Sequence, residues 1–269
     1  MTLQKLLDPL TDAEARVQTN VRFVEFFGLP GIGKTTVANL LGNKLQQCNL
    51  AVDEDRSAYE KRTFVGRQLY RFGIISSRLA DREFRRLSVR IARFVAEGGQ
   101  ATAIDLVREI WHLCYLSAYI LDKRSSSASI LVLDQGLLQG FWSVFLKSRR
   151  RRTSENWLDI LSSIGVDDVV FLHLRGDIVT AQGRLLKRGD QSSRMQKASP
   201  DGDLEVWVAA DRACREMAAD LKTGTRAANR AGVLAAVDVG PLASPDEVAE
   251  RALRGLLLAC RDRLPPVGG

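Results

Sequence analysis

Histidine is nearly absent from this chain: His112 and His173 are its only two in 269 residues. Cysteine is sparse as well, and Cys48, Cys114, Cys214 and Cys260 are scattered without paired spacing. Together these exclude an obvious zinc-ligand set and read as buried free thiols in a reducing compartment. No apolar stretch approaches the roughly 18 residues of a membrane span, so no membrane partner is expected. Residues 1–20 carry scattered acids and no unbroken apolar core, so they read as an N-terminal extension rather than a secretory signal. A cytoplasmic address is the expectation. No internal repeat is visible, and the nearest approach to low complexity, "RSSSAS" from Arg124 to Ser129, reads as a loop.

Lysine is scarce relative to arginine, nine against thirty, and the formal net charge is +7. Such a surface attracts anions, which include nucleic acid but also nucleotides and phosphorylated metabolites. The densest basic run is "KSRRRRT", with Arg149 to Arg152 at its centre. It reads either as a grip for a polyanion or as a solvated helix end whose charge suits the dipole. No aromatic stacking residue interrupts it, so nucleic acid is the less favoured partner.

Short apolar runs set the layout. "VRFVEFFG" (Val21 to Gly28), "LAVDEDRS" (Leu50 to Ser57), "SILVLDQG" (Ser129 to Gly136), "DVVFLHLRG" (Asp168 to Gly176) and "GVLAAVDVG" (Gly232 to Gly240) read as strands. Between them the apolar spacing is helical, as at Val37, Leu40, Leu41 and Leu45, and again over residues 59–123. The last helix opens on Ser244, Pro245 and Glu247, which form a capping box with proline at the first helical position. The expected fold is α/β: one domain over residues 1–269, with a five-stranded parallel sheet and helices on both faces. Residues 183–200 are the expected mobile lid. Trp142 and Trp157 read as core.

After the first strand comes Gly28-Leu29-Pro30-Gly31-Ile32-Gly33-Lys34-Thr35, a match to G-x-x-x-x-G-K-[ST], the Walker A pattern. Glycines let the backbone curl so that its N–H groups converge on phosphate, and the following helix adds its positive end. Lys34 reaches the β- and γ-phosphates, and the Thr35 hydroxyl suits Mg²⁺. The candidate nucleotide-binding residues are Gly28, Pro30, Gly31, Ile32, Gly33, Lys34, Thr35 and Thr36. Asp134 ends the "ILVLD" strand, where it can hold Mg²⁺ through water or accept a proton from an attacking hydroxyl. A helix N-cap is its other reading.

The order of strand, "GLPGIGKTT", acid-ended strand, long helical stretch, "LVLDQG" and Arg-rich segment resembles the P-loop nucleoside and nucleotide kinases. Thymidylate kinases and deoxynucleoside kinases are the nearest likeness, over about Val21 to Arg263. The resemblance implies a P-loop kinase that uses ATP and Mg²⁺ to phosphorylate a small hydroxyl- or phosphate-bearing acceptor. It also implies an acceptor pocket walled by the helices of residues 59–123, and a loop over the adenine near "DVGPLASPDE". That group commonly carries Asp-Arg or Glu-Arg after the third strand, where this chain has Asp134-Gln135. The arginine's role is therefore missing or supplied elsewhere.

In many relatives of that fold the second strand ends in the acceptor-side base. Here Asp53 and Asp55, two apart, project to the same side of an extended strand, and either is a candidate. Their D-x-D form resembles small-molecule kinases such as shikimate kinase. In "GRLLKRGDQSSR", Arg184 and Arg188 share a helical face, with Arg194 beyond a turn. The resemblance makes this a lid whose arginines offset charge on the transferring phosphate and exclude water. Arg188 and Arg194 are the preferred catalytic pair, with Arg184 toward the nucleotide. Two other readings stay open. One is a kinase of nucleic-acid ends; the other is a P-loop NTPase switch, for which no N-K-x-D motif or second ATPase subdomain is visible. Oligomeric state is also open, a homodimer included.

Overall fold

β1 (Phe23–Phe27) is buried along its whole length, which is why it reads as an unbroken apolar run and not an alternation. The computed structural model describes residues 21–53, 63–126, 129–150, 154–187, 204–228 and 233–261. After β1 the chain forms α1 (Lys34–Gln47), α2 (Phe64–Arg78), α3 (Arg82–Glu97), α4 (Ala103–Ser126), β2 (Leu131–Leu133), α5 (Leu137–Lys147) and α6 (Trp157–Ile164). It continues through β3 (Val169–Arg175), α7 (Ile178–Leu186), α8 (Leu204–Ala228), β4 (Val233–Asp238) and α9 (Pro245–Arg261).

The four strands are parallel in the order β2-β1-β3-β4, with Phe23 level with both Leu131 and Val169. β1 is therefore central, and its partners leave on opposite sides. That places a crevice at the carboxyl ends of β1, β2 and β3, where ligands of open α/β sheets bind. Helices α1 and α9 cover one face, and α5 and α8 the other. Helices α2, α3, α4 and α6 form a further block packed on α5 and on one another. The α/β class, the parallel sheet and helices on both faces match the sequence expectation.

The strand count does not match it: among the described residues the sheet has four strands, not five. The expected strand at Leu50 to Ser57 contributes one parallel bridge, Val52 to Ile130, beside β2. Its apolar part, Leu50 to Val52, makes no more than that bridge, and Asp53 beyond it forms an ion pair with Lys123 at 3.0 Å. The expected loop from Arg124 is also overturned in part, because α4 runs on to Ser126. The capping box of α9 forms as expected: Ser244 N–H donates to Glu247 Oε2 at 2.8 Å, and Glu247 N–H to Ser244 Oγ at 3.2 Å. Trp142 and Trp157 are core residues.

Arg124 latches the helical block to the sheet. Its guanidinium donates to both Asp168 oxygens, at 2.8 and 2.6 Å, and to the carbonyls of Ile164 (2.7 Å) and Gly165, while lying over the Phe23 ring. Removing it leaves a half-buried carboxylate and two helix-end carbonyls without their donor. Arg124→Ala is expected to cost about 3 kcal/mol of folding stability, the scale of breaking a partly buried charge-assisted network. Urea unfolding reads this directly, and a loss below roughly 1 kcal/mol, the range of an exposed pair, contradicts it.

Candidate phosphate-transfer site

The loop between β1 and α1 has a conformation that its glycines make necessary. Gly31 has φ +82, and a Cβ there would stand 2.2 Å from the Ala181 carbonyl oxygen on α7. Gly28, at φ +147, would set a Cβ 2.5 Å from the Leu174 carbonyl at the end of β3. The loop is thus wedged between β3 and α7 with no room for a side chain at either position. Arg184 of α7 reinforces this by donating to the Ile32 carbonyl at 3.1 Å.

Lys34 is buried and folds back on the loop, donating through Nζ to the carbonyls of Gly28 at 2.7 Å and Leu29 at 2.9 Å. Thr35, one residue into α1, donates its hydroxyl to Asp134 Oδ2 at 2.5 Å. Asp134 stands just past β2, so the two proposed Mg²⁺ residues, ninety-nine positions apart, meet at the carboxyl end of the sheet. A hydroxyl and a carboxylate are hard oxygen donors and fit Mg²⁺. Among the described residues no cluster of three or more His, Cys, Asp or Glu could hold a metal by itself. This pair therefore suits an ion that takes its remaining oxygens from phosphate and water.

Two cavities adjoin this point. One, of about 750 Å³, spreads from Pro30, Gly31, Gly33, Lys34 and Thr35 to Arg108, Glu109 and Lys147. The other, of about 460 Å³, lies between α2, α4 and β2 and ends on Asp134 and Gln135. Its walls carry Phe64, Tyr70, Tyr115 and Tyr119 beside Arg67 and Arg71, a mixture suited to a flat ring and an anion. Arg71 stacks over the Tyr115 ring at 5.0 Å, which orients its guanidinium. Phe64, Tyr70 and Trp111 each line one or both cavities.

The remaining sequence candidates fall unevenly. Asp53 is described, and its carboxylate is paired with Lys123. Because Val52 bridges Ile130, Asp53 stands three residues below Asp134, about 10 Å along the strand direction at 3.3 Å per residue. Asp53 and Asp134 are thus not brought together at one point. Asp55, Arg188 and Arg194 lie outside the described residues, as do Thr153 and the second half of the Arg149–Arg152 run. Of that run, Arg149 and Arg150 donate backbone N–H to the carbonyls of Gly99 and Gly98, which ties its start to the α3–α4 turn.

Three polar residues escaped the sequence argument. Glu25, in the middle of β1, is wholly buried and accepts from the N–H groups of Leu137 (2.9 Å) and Leu138 (2.6 Å). Burial outweighs those amides and pushes its carboxyl up to about 8. An acid inside an otherwise apolar strand was the signal that could have found it. His112 lines both cavities; burial, then the nearby Arg71 charge, pulls its imidazole down to about 4. Gln139, facing the larger cavity, has a buried side-chain oxygen with no hydrogen-bond partner. No local pattern marks either one.

These buried groups set how stability responds to pH. His112 and His173 both lie near 4 in the fold, His173 chiefly through burial, against an ordinary 6.5. Between those values the unfolded chain holds protons that the fold excludes, so stability rises with pH. Glu25 acts oppositely: from 4.5 to about 8 the fold holds a proton that the unfolded chain releases, and stability falls. Two rising contributions meet one falling contribution up to 6.5, after which only the fall continues. Thermal unfolding across pH 4–9 is expected to peak near 6.5, and a midpoint still climbing to pH 8 would contradict the Glu25 assignment.

No protein-family model matches the chain, and no curated protein matches it significantly. Among solved structures, it is similar to deoxyadenosine kinase from M. mycoides with the products dCMP and a flexible dCDP bound. That match has TM-score 0.47 and 15% identity, over 87% of this chain and 98% of the other. The same enzyme with bound dCTP gives TM-score 0.45 and 14% identity over the same shares.

Proposed function

We propose that this protein is an ATP- and Mg²⁺-dependent phosphotransferase that moves the γ-phosphate to a small hydroxyl- or phosphate-bearing acceptor, nucleoside- or nucleotide-like. The observation that carries the reading is the Thr35–Asp134 contact at 2.5 Å, with Asp134 also forming the end of the adjoining ring-and-anion cavity. A donor loop and a second cavity that meet at one carboxylate suit transfer between two substrates better than hydrolysis.

In this reading the loop backbone and Lys34 bind the donor phosphates, and Lys34 exchanges its two carbonyl partners for phosphate oxygens. Thr35 and Asp134 would hold Mg²⁺, which supplies charge neutralisation across the phosphates. An acceptor oxygen forms a bond to the γ-phosphorus as the bond to the β,γ-bridging oxygen breaks, and ADP leaves. Where the acceptor is a hydroxyl, its proton passes to a carboxylate, with Asp134, Asp53 and Asp55 as candidates. Arg184, with Arg188 and Arg194, offsets charge on the transferring group.

A thermal-shift screen over nucleosides, nucleotides, sugars and antibiotics, with ADP present, identifies the acceptor, and ADP release then measures turnover. Release that depends on the acceptor supports the proposal. Fast release indifferent to every acceptor would mark an NTPase. Salt-sensitive binding of an oligonucleotide would move the acceptor to nucleic-acid ends.

A further inference from the structure

Helix α5 starts immediately after Asp134, Gln135 and Gly136, and its first amides have no N-cap side chain to meet them, because the cap position is Gly136. The cap comes from another strand. Glu25 of β1 sets one carboxyl oxygen against the Leu137 N–H and the other against the Leu138 N–H. The fit leaves no slack: a Cβ on Gly136 would fall 2.4 Å from the Glu25 carboxyl carbon. A side chain at position 136 would have to displace the acid.

β1 also launches the phosphate loop, so it anchors both halves of the site. Thr35 is referred to β1 through Gly28 and the loop. Asp134 is referred to it through the ladder, in which Glu25 is level with Leu133, and through the Glu25 carboxyl gripping the far side of the same turn. We propose that Glu25 is a positioning residue for Asp134: it clamps the 134–138 turn to β1 and so sets the carboxylate against the Thr35 hydroxyl. The clamp rests on the phosphotransferase reading for its purpose, but its geometry exists without nucleotide.

Two measurements test it in the full chain. Hydrogen exchange of the Leu137 and Leu138 amides is read without ligand, and calorimetry reads ADP binding with and without Mg²⁺. In Glu25→Gln, one carboxyl oxygen becomes an amide NH2, a donor facing an N–H donor. Exchange at both amides is expected to rise at least tenfold, and the gain in ADP affinity conferred by Mg²⁺ to shrink about tenfold. Mg²⁺-free ADP binding stays within twofold, which a general loosening of the fold would not spare. Gly136→Ala, which keeps the acid but displaces it, is expected to behave alike and serves if Glu25→Gln fails to fold. Unchanged exchange, or an unchanged Mg²⁺-dependent gain, overturns the clamp alone. A wild-type protein that binds no ADP overturns the phosphotransferase reading and the clamp with it.

Discussion

Lys34→Ala is expected to lower phosphoryl transfer by about 10³-fold, the scale of removing one preorganised charged donor from a transferring phosphate. Lys34 is the only cation in the stretch Gly28–Thr36, and Arg184 approaches from α7, on the Ile32 carbonyl at 3.1 Å. The variant is expected to fold. The wild-type ammonium donates to two loop carbonyls, Gly28 and Leu29, and losing those bonds costs about 1–2 kcal/mol. Acceptor-dependent ADP release and the unfolding midpoint, measured on one preparation, separate the two effects. Activity within tenfold of wild type would remove Lys34 from the site.

Asp134→Asn is expected to act differently, lowering turnover by about 10²- to 10³-fold while ADP without Mg²⁺ binds within a few-fold of wild type. Asparagine keeps the shape of the side chain and an oxygen for the Thr35 hydroxyl, so the contact at 2.5 Å has a neutral substitute. What is lost is the negative charge that a divalent ion needs. A parallel loss in Mg²⁺-free nucleotide binding would mean that Asp134 supports the loop's shape and not the transfer. A turnover change below tenfold would exclude it from both roles.

The parts of this site that local sequence could reveal are those whose chemistry is contiguous. The eight residues from Gly28 to Thr35 are one loop and the start of α1, and their spacing follows from one backbone curl. The box of Ser244 and Glu247 is likewise a single turn. Strand ends were legible where an apolar run was long enough to form a ladder, as at Phe23–Phe27 and Val169–Arg175. At Leu50–Val52 the apolar run makes a single bridge, and Asp53 just beyond it pairs with a lysine seventy positions later on α4. Such pairing has no period and no motif. The same holds for Glu25 against the amides of α5, and for His112 between two cavities, because each depends on which helix lies opposite.

The central place of β1 has a consequence during synthesis. The strand precedes both of its neighbours: β2 begins about 110 residues later, with Leu131, and β3 about 150 residues later, with Val169. At about 5–20 residues per second, the stretch Val21–Phe27 emerges and waits roughly 5–20 s for the first of them. Seven residues rich in Val and Phe, with no proline, have the composition of an aggregation-prone segment. In the unfolded chain the Glu25 carboxyl titrates near its ordinary 4.5 and is charged at neutral pH. Flanked by Val24 and Phe26, and with Arg22 nearby, it interrupts the run with charge while the strand is unpaired. The acid that later disappears into the core thus guards the nascent strand's solubility before it ever touches α5.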